Sequence, residues 1–162
     1  MIELHFDEQG FLMPYQAIEA DLETLEYYFV TQFPNSKTRR RLFVNYLRYN
    51  ERFRSRVTKR FVQWIDGSFV TQKQNPKDID MVTFLDYRIF EAQEPFLDKF
   101  WTFNLEDQGL DAYLLRLYPP EHPDYIQETA FYQQEWQEVY GSTADKEGEE
   151  IFPKGFIQLN FT

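Results

Sequence analysis

Two apolar runs separated by a polar interruption lie between residues 61 and 85, and they limit the fold more than any other stretch of the chain. Phe61-Val62-Gln63-Trp64-Ile65 reads as a strand. Asp66-Gly67-Ser68 closes it with a turn, and Thr71 to Lys77 is polar and carries Pro76, so it should be a loop. Asp78-Ile79-Asp80-Met81-Val82-Thr83-Phe84-Leu85 then opens a second strand. Residues two apart on a strand share a face, so Asp78 and Asp80 point the same way. Like charges so placed are destabilising unless something positive sits between them. Carboxylate oxygens suit hard Mg²⁺ or Mn²⁺ better than zinc. Gly67 lets a phosphate approach the backbone, and N–H groups at such a turn, with the Ser68 hydroxyl, can hold phosphate oxygens. Taken alone, Asp-x-Asp also reads as two solvated acids, and Gly-Ser after a strand as a plain turn.

The rest of the chain fills in around these strands. Ile2 to Pro14 reads as short extended pieces broken at Gly10 and Pro14. Ala17 to Gln32 looks helical, with Ile18, Leu22, Leu25 and Phe29 on one face. A helix is expected over Lys37 to Arg60, another through Phe90, Phe96, Phe100 and Trp101, and a last one over Ile126 to Tyr140. Asp111 to Tyr118 is a third strand, stopped by Pro119-Pro120, and Gly155 to Phe161 a terminal one. The mixture predicts an α+β (mixed α/β) fold, with a mixed sheet flanked by helices. With 162 residues there is room for one domain, spanning residues 1–162.

Composition excludes several classes. The 43% hydrophobic and 19% aromatic content promises a core rich in Phe and Tyr rather than a disordered chain. No apolar run approaches the roughly 18–20 residues that span a bilayer, so no membrane is expected. The start has neither a basic n-region nor an apolar h-region, which predicts a cytoplasmic protein. Cysteine is absent, which excludes disulfides and thiolate metal sites. The net charge of −10 argues against general polyanion binding. That charge is uneven, because the segment from Lys37 to Arg60 holds ten Lys or Arg and a single acid, Glu51.

Gly67-Ser68, nine intervening residues and then Asp78-Ile79-Asp80 resemble the signature of the nucleotidyltransferase superfamily, the group related to DNA polymerase beta. The block from Trp64 to Val82 is also similar to an uncharacterised bacterial family of small nucleotidyltransferase-like proteins, with G-S-F-x-T-x-K, a Pro and D-I-D. The likeness extends upstream through Phe6-Asp7, Gly10 to Pro14 and Arg39-Arg40, and downstream to Lys154-Gly155-Phe156-Ile157. It implies that Asp78 and Asp80 chelate one or two Mg²⁺ (or Mn²⁺) ions. The superfamily's third carboxylate lies on a later strand. Asp111 opens the third predicted strand and matches it in pattern, with Asp86 and Asp107 as lesser candidates. The substrate implied is a nucleoside triphosphate, whose NMP would pass to a hydroxyl of a protein, RNA or small-molecule acceptor.

Several other residues admit two readings. Arg39 or Arg40 could reach the triphosphate with bidentate contacts, or the basic helix could grip RNA, or it could be a solvated face. Lys73 could touch the β- or γ-phosphate, or be a solvated loop lysine. Tyr125, Tyr132, Trp136 and Tyr140 fall near helical spacing and suit a core or a base pocket. His5 and His122 lack ligand spacing, and the acids from Asp145 to Glu150 lack that of a calcium loop. The alternative to an enzyme is a non-catalytic nucleotide-binding protein, or an interaction protein of the toxin–antitoxin or defence kind.

Overall fold

The computed structural model describes residues 1–162, the side chain of Phe103 excepted. Its strands are β1 (His5–Phe6), β2 (Leu12–Met13), β3 (Ala17–Ala20), β4 (Phe61–Asp66), β5 (Ile79–Asp86), β6 (Leu110–Leu117) and β7 (Phe156–Phe161). Its α-helices are α1 (Leu22–Glu26), α2 (Arg39–Arg56), α3 (Tyr87–Leu97) and α4 (Phe131–Tyr140). The class is α+β, as the sequence predicts. β1 and β2 form a small antiparallel hairpin, and the other five strands make one mixed sheet in the order β3-β7-β4-β5-β6. β4 pairs antiparallel with β5 and β7, whereas β3–β7 and β5–β6 are parallel. The parallel β5–β6 pair needs a crossover, and α3 with three short 3₁₀ turns supplies it.

One element departs from its expected form. Ala17 to Gln32 is not a single helix: its first four residues form β3, in register with β7 from Ala17↔Phe156 to Ala20↔Leu159. Pairing there covers an edge of β7 that would otherwise be open. Asp21 then caps α1, accepting from the Thr24 backbone N–H at 2.7 Å. A π-helical turn, Tyr27–Thr31, completes the segment. Another, Tyr125–Ala130, occupies the first part of the predicted last helix. No helix is long and apolar enough to cross a membrane.

The sheet has two unlike faces. Gln63, Ile65, Met81, Thr83, Leu85, Ala112 and Leu114 face α2 and the crossover. There they pack with Leu42, Phe43, Tyr46, Tyr49, Phe53 and Phe100, all buried. One polar network is sealed inside this layer. Tyr46 donates to Gln63 Oε1 at 2.7 Å, and Gln63 Nε2 donates to Asn50 Oδ1 at 2.8 Å and to Thr83 Oγ1 at 3.0 Å. The alternate residues Trp64, Val82, Phe84, Leu115 and Phe156 form the opposite face, covered by Trp136 and Tyr140 of α4. Their strands carry the acids on this α4 side.

Candidate active site

Strand register aligns the carboxylates. Asp66 pairs with Asp80 across β4 and β5, and Asp80 pairs with Asp111 across β5 and β6. Side chains in register point to one face, so the three acids form a row across three strands on the α4 side. Asp78 lies just before β5, two residues along the chain from the central member Asp80.

Gly67 makes the row possible. It has φ +78° and ψ −168°, and a Cβ built there would fall 1.7 Å from Asp80 Oδ2. No side chain could occupy that position while the Asp80 carboxylate keeps its place. Ser68 follows and opens a short 3₁₀ turn, Ser68–Val70. The Thr71 hydroxyl donates to the Ser68 carbonyl at 2.8 Å, and the Thr71 hydroxyl oxygen accepts from the Lys73 N–H at 3.2 Å, which ties the loop together.

The carboxylates are electrostatically frustrated. Burial, then the charges of Asp78, Asp111 and Asp66, push the Asp80 carboxyl up to about 7. Burial and Asp111 also raise Asp78, although Lys73 and Lys77 partly oppose them. Burial raises Asp66 to about 6, opposed by Lys154. Lys154 Nζ donates to Asp66 Oδ1 at 2.5 Å, and both side chains are less than 10% exposed. Asp111 Oδ1 accepts from the Thr102 hydroxyl at 2.7 Å. Asp80 and Asp111 are thus adjacent. Among the described residues, however, no three Asp, Glu or His side chains converge on one point as a ready ligand set. The donor chemistry still fits a hard divalent cation: all oxygen, and strongly negative around Asp78, Asp80 and Asp111. Among the described residues the one cation bonded to the row is Lys154, which Asp66 engages.

Two cavities meet here. A polar one of about 720 Å³ is lined by Gly67, Ser68, Lys73, Asp78, Lys146 and Lys154, among others. An aromatic one of about 740 Å³ runs over β6 between Trp101, Tyr113, Tyr132 and Trp136, with Asp111 on its wall. Asp80, Val139 and Tyr140 line both. The Tyr140 side chain is 3% exposed and its hydroxyl has no hydrogen-bond partner among the described residues. Its pKa is raised by burial first, and then by the neighbouring acids Asp66, Asp80 and Asp111.

The predicted residues divide clearly. Gly67, Ser68, Lys73, Asp78 and Asp80 line the polar cavity, and Asp111 stands beside Asp80. Arg39 and Arg40 do not line it, and the expectation that they reach a triphosphate is corrected. The Arg39 side chain is fully buried. Its guanidinium donates to the carbonyls of Phe29 at 2.9 Å, Phe69 at 2.6 Å, Thr71 at 2.9 Å and Lys73. It holds the Gly67–Lys73 loop from behind. Arg40 is exposed and pairs with Glu26 at 2.8 Å. Of the lesser acids, Asp86 caps α3, accepting from the Arg88 N–H at 2.9 Å, and Asp107 lies exposed in a 3₁₀ turn. Sequence reasoning missed Asp66, Lys146 and Lys154 as site residues, whereas Tyr132, Trp136 and Tyr140, read as core or base pocket, line the aromatic cavity. Asp66 carried a usable signal, since it ends its strand on the same face as Trp64.

A family model described as a family of unknown function (DUF6932) matches residues 4–160, so the chain belongs to that family. No curated protein and no solved structure matches it.

Proposed function

We propose that this member of the DUF6932 family is a metal-dependent nucleotidyltransferase that moves NMP from a nucleoside triphosphate to a hydroxyl. The observation that carries the reading is the register of Asp80 with Asp111 beside the Gly67-Ser68 turn, into which Asp80 packs. The motif's resemblance to nucleotidyltransferases points the same way. Asp78, Asp80 and Asp111 would hold the divalent cation, which supplies positive charge at the attacking and leaving oxygens of an in-line displacement. The triphosphate would lie in the polar cavity, with the Ser68 hydroxyl and the Lys73 and Lys146 ammonium groups available to its oxygens. The acceptor oxygen attacks the α-phosphorus, the bond to the β-phosphate oxygen breaks and pyrophosphate leaves. The acceptor's hydroxyl proton passes to the Asp111 carboxylate. Most of the rate gain then comes from positioning and charge neutralisation.

Label transfer tests this reading. With Mg²⁺ or Mn²⁺, label from an α-labelled NTP should appear in acceptor, whereas γ-label should not. Asp80→Asn should lower transfer by about a hundredfold or more. Absence of metal-dependent NTP binding in calorimetry would sink the proposal. Nucleotide binding with no transfer to any acceptor would favour the non-catalytic reading instead.

A further inference from the structure

Building on the nucleotidyl-transfer reading, we infer that the aromatic cavity beside Asp111 is the acceptor subsite and that it selects a hydroxyl-bearing organic cation. The acids divide between the two cavities: Asp78 lines only the polar one, Asp111 only the aromatic one, and Asp80 both. A two-substrate transfer needs this division, with the leaving pyrophosphate and the attacking hydroxyl on opposite sides of one phosphorus. The seam also holds a polar group awaiting a partner. Tyr140 lines both cavities, its buried hydroxyl has no partner among the described residues, and a buried hydroxyl left without a partner is costly. An acceptor hydroxyl reaching toward Asp111 would give it one.

The charge of the cavity selects the class of acceptor. Its wall carries four carboxylates, Asp80, Asp111, Glu128 and Glu135, against one cation, Arg116. The Arg116 guanidinium lies over the Phe90 ring, 4.3 Å from its centroid. A polyanion such as RNA would meet net repulsion here. An organic cation would gain both from the carboxylates and from the ring faces of Trp101, Tyr113 and Trp136. The basic residues of α2 offer an RNA acceptor no substitute, because α2 packs on the opposite face of the sheet.

Three probes share one phenolic ring and carry side chains of different charge: cationic tyramine, neutral N-acetyltyramine and anionic 4-hydroxyphenylacetate. Trp101 and Trp136 line the cavity, so tryptophan fluorescence of the whole protein reports binding without nucleotide. Tyramine should bind at least about fivefold more tightly than the neutral probe, and the anion more weakly still. Trp136→Ala should weaken tyramine binding about tenfold, and Glu128→Gln with Glu135→Gln about fivefold, while circular dichroism checks the fold. Equal affinities for the three probes, indifference to both variants, or no saturable change up to about 10 mM tyramine would overturn the inference. NTP binding, measured separately by calorimetry, reports on the polar cavity. Loss of the cation preference with NTP binding intact removes this inference alone. Cation binding without NTP binding removes the nucleotidyl-transfer reading and leaves the aromatic cavity as a cation site.

Discussion

The two faces of the sheet are built from alternate residues of the same strands, yet they solve opposite problems. On the α2 side the large buried polar groups are engaged: Gln63 is shared by Tyr46, Asn50 and Thr83, and Arg39 gives its donors to backbone carbonyls, with Asn50 Nδ2 and Thr38 Oγ1 left unpaired among the described residues. On the α4 side Asp66, Asp80 and Asp111 stand in a row, and only Asp66 has an ion-pair partner among the described residues. Buried polar groups normally find partners, and a cluster of like charges is a strain reservoir that ligands can relieve. The α2 face therefore provides stability, and the α4 face is organised for a ligand. Substitutions that separate the two roles test this contrast.

The largest effect should come from the α2 face. Arg39→Ala removes a buried guanidinium and leaves carbonyls of Phe29, Phe69 and Thr71 without their donor. A loss of about 3–5 kcal/mol is expected, and thermal denaturation should show it as a fall in Tm of roughly 6–20 °C. Arg39→Lys should recover little, because one ammonium cannot reproduce the guanidinium's fan of donors. A variant with unchanged Tm but weakened nucleotide binding would break the comparison and return Arg39 to the ligand.

Gly67→Ala should rank next, at about 1–3 kcal/mol, from a residue forced to positive φ and a Cβ driven into the Asp80 carboxylate. Combining it with Asp80→Ala should restore part of the loss, since the clashing oxygen is gone. A double-mutant cycle showing strict additivity would mean that the two do not touch.

Most of the fold was legible because its signals are local. β4, β5 and β6 are apolar runs bounded by Gly, Pro and Asp, and α2 keeps a helical period in Leu42, Phe43, Tyr46, Tyr49 and Phe53. β3 was hidden because Ala17-Ile18-Glu19-Ala20 has no strong propensity, and its partner β7 lies more than a hundred residues away in sequence. The acids of the site were legible through spacing. Lys154 was not, since it reaches the row from the approach to β7, and only tertiary packing brings it there. Arg39 was misread for the same reason. An arginine beside a phosphate-type loop signals a ligand, but this one is used up by the loop's own backbone.

A smaller effect, of opposite sign, belongs to the acid row. The fold holds Asp80 near 7, above its ordinary 3.8, so it favours the neutral carboxyl. The stability this contributes is full below about 3.8 and is lost as pH rises through about 7. Asp66, raised to about 6, adds to the trend. Asp21, lowered to about 2, acts in the other direction but only as pH falls below the ordinary carboxylate range. The metal-free protein should therefore gain stability between about pH 8 and pH 5.5. Asp80→Asn, which keeps the shape and removes the charge, should raise Tm at pH 8 by about 2–8 °C and flatten that slope. Adding Mg²⁺ at pH 8 should stabilise the parent protein and not the variant. A lowered Tm for Asp80→Asn without metal would show that the row is not frustrated.

The smallest effect sharpens the comparison through a charge that belongs to neither role. Arg40 neighbours Arg39 in sequence but is exposed, and its pair with Glu26 lies open to solvent. Such pairs are screened and offset by the entropy of two long side chains. Arg40→Ala should change stability by no more than about 0.5 kcal/mol and leave NTP affinity within about twofold. Salt titration provides the check, because a contact to triphosphate would give the parent a steeper salt dependence of NTP binding than the variant. Equal slopes would confine the basic surface of α2 to solvation, and the ligand's positive partners would then be Lys73 and Lys146 of the polar cavity. A steeper parent slope would mean that the α2 side reaches the ligand after all, and the division between the faces would fail at its N-terminal corner.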